Sequence, residues 1–432
     1  MKNKLAIKLS VIVMLSVVLL VPLHMIEGAI SARQQRQAEV KANIAQTAAG
    51  EQKLVGPFIA VMYKERVEKR EKENGKENIS YETVTKHLFL PPRHLNVKGG
   101  VTVETLYRGL YPARVFHANL ALACDFRLAQ HLGLAPERHI LEARAFLILD
   151  ISDLRGVEND PTVAFGGAQR PFTTGTNDLL KRQGMQADLG DVDLARETAY
   201  DFSFPLQLSG TERLSIAPAG DETTVSLNSD WPHPSFQGSF LPRSRKVSAD
   251  GFEAEWHTSH LARSFESVLQ SDIGMDVRFM DPVNIYLQSE RAVKYGLLFV
   301  TLTFGAFFLT EILRKLALHF VHYLLVGLAL AVFFLLVIAL SEHLSFALAY
   351  LVSSVACVGL IGAYLAGVLD SRAGGSAFAA GLAGLYGVLY VVLLSEDNAL
   401  LMGSVVIFIA LGTVMLTTRR LNWHSLAESL AG

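Results

Sequence analysis

Eight side chains are the candidates for chemistry, and they fall into two groups. Glu311, Glu342, Glu396 and Asp397 lie in or beside long apolar runs. Arg108, Arg114, Trp256 and Arg263 lie in the polar part of the chain. An ionisable group inside an apolar span is expensive and often functional. Glu311 is the clearest case. An i, i+3 pair with Arg314, or snorkelling to the interface, explains it structurally; a proton or ion site is the sharper reading. His319, His322 and Asp370 stand at span ends and read as interfacial. The two arginines, Trp256 and Arg263 would make a polar cleft if the fold brings them together. His257 and His260 form an HxxH, which holds a metal on a helix. Here it follows a strand-like run, where i and i+3 point to opposite faces. There is no Gly-rich phosphate loop, HExxH, CxxC or Gly-x-Ser-x-Gly. No cofactor and no catalytic group are therefore expected. Trp231-Pro232-His233-Pro234 reads as a rigid turn.

Six apolar runs position the first group. Leu9–Ile26 is one; Tyr295–Leu313, Phe320–Ser341, Leu344–Leu369, Gly374–Leu394 and Asn398–Thr417 are the others. A bilayer core needs about 20 apolar residues per helix, so six membrane helices in a 1+5 arrangement are expected. Lys2, Lys4, Lys8, Arg314, Lys315, Arg372, Arg419 and Arg420 all fall on one side. The turns near Ser341–Ser345 and Ser395–Asn398 contain no Lys or Arg and hold Glu342, Glu396 and Asp397 instead. Lys/Arg-rich short loops mark the cytoplasmic face. Residues 1–8 and 419–432 are thus expected inside, and 27–294 outside. The first run, 9–26, reads as an uncleaved signal anchor, since no small-x-small site follows it. Residues 27–49 read as a helical stalk that continues it.

Spans three and five end alike, in Ala339-Leu340-Ser341-Glu342 and Leu393-Leu394-Ser395-Glu396. Two related helical hairpins would explain this. Ser, Asp and Asn at these turns suit N-caps, and the acids could instead contact the outer domain. Gly381, Gly384 and Gly387 in span five read as a close-packing face. No charge lies at mid-span, which argues against a charge-driven pump.

The outer domain reads as mainly β. Phe116–Phe126, Tyr200–Leu208 and Phe252–Trp256 alternate apolar and polar residues, the mark of half-buried strands. Phe146–Ile151 is apolar on both faces, as a central strand would be. Asn74-Gly75 predicts a hairpin between Phe58–Glu68 and Ile79–Leu90, with the charged run Lys64–Glu77 as its solvated tip. Leu134–Ala145 and Asn177–Gly184 are candidate short helices. An antiparallel sandwich or large twisted sheet is expected. Formal net charge is −2, which points away from a nucleic-acid partner. Two cysteines, Cys124 and Cys357, fall in different regions, so no intrachain disulfide is expected. Cys124 reads as a buried, inert thiol on the apolar face of a strand.

Several segments resemble the CreD inner-membrane protein family, the cell envelope integrity proteins. They are Arg108-Gly-Leu-Tyr-Pro-Ala-Arg-Val-Phe, Trp256-His-Thr-Ser-His-Leu-Ala-Arg263 and Asp281-Pro-Val-Asn-Ile-Tyr. Others are Leu302-Thr-Phe with Glu311, Tyr323-Leu-Leu-Val-Gly-Leu-Ala-Leu and Ser341-Glu-His-Leu-Ser-Phe-Ala-Leu-Ala-Tyr350. Leu385-Tyr-Gly-Val-Leu-Tyr390, Ser395-Glu-Asp-Asn-Ala-Leu-Leu-Met-Gly403 and Thr418-Arg-Arg-Leu-Asn-Trp423 complete the set. His322 and Asn398 depart from the pattern, which has Gln and an aromatic there. The resemblance implies a Gram-negative inner membrane, a periplasmic β domain and a role in envelope integrity or envelope stress. It carries over no catalytic residue. Expected partners are the lipid bilayer and a periplasmic protein or envelope glycan. Three functions compete: a non-enzymatic envelope protein, a membrane enzyme on a lipid-linked or cell-wall substrate, and a proton-coupled transporter using Glu311.

Overall fold

A computed structural model describes residues 4–73, 76–176, 183–281, 285–313, 318–394 and 399–419. The chain starts with α1 (Lys4–Val18) and α2 (Leu20–Thr47). The β region follows as β1 (Gln52–Glu73), β2 (Lys76–Leu90), β3 (His94–Arg108), β4 (Tyr111–Leu128), β5 (His139–Ile151), β6 (Thr162–Phe165), β7 (Ala168–Pro171) and β8 (Thr173–Thr174). It continues as β9 (Gly184–Asp191), β10 (Thr198–Thr211), β11 (Arg213–Ile216), β12 (Glu222–Ser229), β13 (Pro234–Gly238), β14 (Ser244–Ser248) and β15 (Gly251–Ser259). A short helix α3 (Phe265–Gln270) and β16 (Met275–Phe279) close it. Then come α4 (Ile285–Lys294), α5 (Gly296–Leu313), α6 (Phe320–Ser341), α7 (Phe346–Val368), α8 (Arg372–Leu394) and α9 (Ala399–Thr418). Two compact units result: Gln37–Pro282, and Met1–Arg36 with Val283–Gly432.

The first unit is a β-sandwich. One sheet runs β13-β16-β11-β1-β5-β9-β8, with β2 also on β1; the other runs β10-β4-β3-β12-β15-β14. Alternation builds the core between them. Phe116, Leu120, Leu122, Cys124 and Phe126 of β4 face inward, as do Phe202, Phe204, Leu206 and Leu208 of β10. Each such side chain contributes about 1.5–3 kcal/mol by leaving water. Pairing is antiparallel except for β1 with β11 and β3 with β12.

β5 is apolar on both faces because both are covered. Leu147, Leu149 and Ile151 join the central core. Phe146 and Ile148 pack outside with Phe58 and Ala60, beneath Phe265 and Leu269 of α3. The candidate helix Leu134–Ala145 is not helical: β5 starts at His139, and only a tight turn precedes it. Partners β1 and β9 make that choice, overriding local propensity. The other candidate helix, Asn177–Gly184, falls largely outside the described residues, and Gly184 opens β9. Asn74-Gly75 also lies outside them, yet Glu73 pairs with Lys76. β1 and β2 stay paired beyond Arg66, where β1 loses β5.

A polar knot ties the start of β1 to β10. Gln52 is buried, and its Nε2 donates to the carbonyls of Asp153 and Ser209 at 2.9 Å. Asp153 accepts from Gly50 N–H at 3.0 Å and pairs with Arg155. The Arg155 contact first, then backbone hydrogen bonds, hold the Asp153 carboxyl down to about 2, and burial opposes them. A depressed carboxyl stabilises the fold above its unfolded value of about 3.9, and this is lost as pH falls through about 2. An Asp153→Asn protein should be less stable than the parent at pH 7 and converge with it below about pH 2. Acid titration by circular dichroism of both proteins checks this.

In the helical unit, Leu15, Leu19, Leu23, Ile26 and Ile30 form one buried stripe along α1 and α2, the spacing of a helix face. Gly327 of α6 lets Leu19 approach; a Cβ there would meet the Leu19 methyl and Phe304. By length and composition five helices can cross a membrane among the described residues. They become six if α4 and α5, bent by 44°, count as one span. The sequence reading placed this span's start at Tyr295 and missed α4, an amphipathic helix that buries Tyr286, Ser289, Ala292 and Val293. The expected close-packing face of α8 is also corrected. A Cβ at Gly381, Gly384 or Gly387 would meet nothing within 4 Å, whereas Gly375 sits against Ala366 of α7.

Candidate functional site

Glu311 organises the polar interior of the helical unit. It is 4% exposed. Its Oε1 pairs with Lys8 Nζ of α1 and accepts from Leu318 N–H at 3.0 Å. Its Oε2 accepts from Tyr323 Oη of α6 at 2.8 Å. Lys8 also donates to Leu318 O at 3.0 Å. Phe304 and Phe307 pack on the Tyr323 ring, with centroids 5.7 and 4.7 Å away. The carboxylate is thus desolvated but fully engaged, as a buried charge must be. The local partner proposed from sequence, Arg314, lies outside the described residues. The observed partner comes from the far end of the chain.

Glu342 and the two histidines at span ends also have partners. Glu342, at the end of α6, forms an ion pair with Arg33 of α2 at 3.3 Å. That contact lies within the helical unit. Ser345 occupies the N-cap of α7 but makes no side-chain cap bond. Glu396 and Asp397 lie outside the described residues. His319 Nδ1 accepts from Val321 N–H at 3.4 Å, and His322 Nδ1 bonds Tyr364 Oη at 2.6 Å. Asp370 is exposed in the left-handed turn after α7.

The four β-unit candidates do not converge. Arg108 is exposed at the end of β3. Arg114 of β4 bonds Thr105 and Asp281 and stacks on Trp231 at 4.7 Å. Trp256 is fully buried against Phe236, its Nε1 donating to Phe240 O at 3.2 Å. Arg263 bonds the carbonyl of Gly220, which sits against Leu95. Burial pulls the Arg263 guanidinium below its usual range, and Asp221 partly offsets this. Thr105, beside Arg114, is ten residues along β3 from Leu95, against which Gly220 sits. At about 3.3 Å per residue that is about 33 Å. Trp256 lies between, in register with Val225 and Val97. Arg114, Trp256 and Arg263 therefore do not line one cleft.

His257 Nδ1 meets Thr224 Oγ1 at 3.2 Å, and His260 starts a short 3-10 turn. Among the described residues no group of three His, Cys, Asp or Glu side chains could hold a metal. Burial pushes the Cys124 thiol far above its usual range, with Asp125 and Asp201 adding to it. A thiolate is the reactive form. Maleimide at pH 7 should leave Cys124 unmodified in the native protein and label it once unfolded; mass spectrometry of the peptide decides.

Sequence reading missed one dense network. Arg213 pairs with Asp276 at 2.8 Å, Asp272 at 3.3 Å and Glu51 at 3.6 Å, while Lys53 joins Asp272 at 2.9 Å. Its members come from β1, β11, β16 and their flanks. No spacing signal links them.

These features define a multi-span membrane protein with a large mainly-β unit. The chain belongs to the CreD family: the family model described as "Inner membrane protein CreD" matches residues 4–424. It is 35% identical over 416 residues to Inner membrane protein CreD of Escherichia coli (strain K12), covering 94% of this chain and 91% of that one. It is an inner membrane protein. Among solved structures, an M1 zinc metallopeptidase from Deinococcus radiodurans overlaps 44% of this chain and 42% of its own, at 12% identity and a TM-score of 0.20. A two-domain M1 zinc metallopeptidase bound to L-tryptophan gives 0.19 at 12% identity, over 44% of each chain. Both spans are under half of the peptidase chains. Likeness that weak says nothing of fold or chemistry.

Proposed function

We propose that this chain is a non-enzymatic envelope protein that serves envelope integrity or the envelope stress response. Both termini lie in the cytoplasm, and residues 27–294 lie in the periplasm, where the β domain binds a protein or an envelope component. One observation carries the reading. The ionisable groups buried in the helical unit fasten the N-terminal helices: Glu311 holds Lys8 of α1, and Glu342 holds Arg33 of α2. A carboxylate tied to a lysine, a tyrosine and a backbone N–H suits an anchor better than a proton relay. The wide separation of Arg114 and Arg263 weighs against a shared enzymatic cleft. Charge in the short loops supports the orientation.

In vivo photo-crosslinking of the full-length protein, followed by purification and mass spectrometry, tests the binding role. A specific periplasmic protein or glycan adduct is expected. Its absence across probes spread over the β domain would sink the binding role. A Lys246→Cys protein in intact cells tests the orientation; a membrane-impermeant maleimide that cannot enter the cytoplasm should label it. A Glu311→Gln protein should keep envelope function if the anchor reading holds; loss of function with normal folding would favour the transporter.

A further inference from the structure

The hairpin joining β3 and β4 has an unusual tip. Arg108 pairs with Tyr111, leaving a two-residue turn, Gly109-Leu110. Gly109 has φ 63°, as such a turn requires. Turn tips favour Gly, Asn, Asp and Ser, yet Leu110 is 47% exposed here. Leu106 is 38% and Tyr107 70% exposed beside it. Arg108, between them, is exposed and makes no ion pair among the described residues. Elsewhere on the sandwich, exposed apolar side chains such as Tyr81, Leu241 and Leu261 stand singly, which is ordinary. Three within five residues on one tight turn are not.

The residues just behind the turn show where such a tip would be useful. Ala113 and Val115 of β4 pack on Val40 and Ile44 of α2. Arg114, between them, pairs with Asp281, four residues before α4 begins at Ile285. The two ends of the sandwich unit, α2 and the segment at Asp281, therefore both meet this hairpin just behind its tip, where Ala113 pairs with Leu106. A mixed tip of Leu, Tyr and Arg is the composition of an interfacial contact. Tyrosine places its ring at headgroup level with the hydroxyl in water. A cation beside it complements anionic headgroups.

We propose that the Leu106–Leu110 tip is a membrane-docking element, seated in the headgroup layer of the bilayer that holds the helices, with Arg108 against anionic lipid. It uses Leu106, Tyr107 and Leu110 as the shallow apolar wedge. The proposal needs only that the chain is a membrane protein; it does not depend on the binding partner suggested above.

Full-length protein carrying Tyr107→Cys or Leu110→Cys, labelled with a fluorophore, tests it in vesicles of phosphatidylglycerol and phosphatidylcholine. Ser248→Cys on β14, also exposed, is the control. Lipids spin-labelled near the headgroup should quench labels at 107 and 110 several-fold more than at 248, and aqueous iodide less. Arg108→Glu should reduce the lipid quenching in the anionic vesicles. Equal iodide quenching at all three sites overturns the proposal. So does shielding from both quenchers, which would mean that a protein or a second copy covers the tip.

Discussion

Replacing Glu311 with Ala should destabilise the helical unit by about 3 kcal/mol, measured by thermal unfolding of the full chain in nanodiscs. Removing one partner of a buried pair costs about 3–5 kcal/mol because the other charge is left without compensation. Lys8 is partly exposed at 28% of its side chain and can turn toward the interface, which sets the lower end. The loss also strands the Tyr323 hydroxyl and the Leu318 N–H. Glu311→Gln keeps an acceptor for that N–H and should cost less. Replacing the pair together, Lys8→Met with Glu311→Leu, should recover much of the stability, since apolar side chains of similar size often substitute for a buried pair. If Glu311→Ala melts like the parent, the fastening role of this carboxylate is wrong.

Trp256→Ala should cost the sandwich about 3–5 kcal/mol, the range for truncating a buried aromatic residue. The side chain is fully buried, its ring meets Phe236 edge-on at 5.7 Å, and its indole N–H has a carbonyl partner. Arg108→Ala, at an exposed site, should stay within about 0.5 kcal/mol. The comparison separates two views of Trp256 that the sequence leaves open. A core residue loses stability when truncated. A ligand contact loses function while the melting temperature holds; that outcome would return Trp256 to the list of binding residues.

The split between what was readable and what was not follows sequence separation. Strands such as β4 and β10 declare themselves by alternation, because a half-buried strand repeats every two residues. Membrane helices declare themselves by length. Pairings between distant segments leave no such trace. Nothing near Lys8 points to Glu311, and nothing near Arg33 points to Glu342. The parallel pairings of β1 with β11 and β3 with β12 are invisible for the same reason. In the sequence Trp256 reads as a site candidate alongside Arg108, Arg114 and Arg263. Its own alternation with Phe252 and Ala254 was the better guide, and it points inward. Leu134–Ala145 failed in another way: its first residues form a turn, and the strand that follows is chosen by β1 and β9.

The parallel join of β1 to β11 has a kinetic consequence. Gln52 finds Leu214, and Leu214 in turn finds Val277 of β16. Contacts this far apart in sequence must close a long loop before they contribute, which slows folding. The first strand of the sheet therefore waits for its last, and the sandwich completes only when residues to Phe279 are available. Only five residues separate Phe279 from Ile285, where α4 begins. During synthesis, the helices that end the soluble stretch emerge just as the sheet gains its final partner. Until then the β1–β2 hairpin, whose contacts are local, is the part of the sheet able to form first.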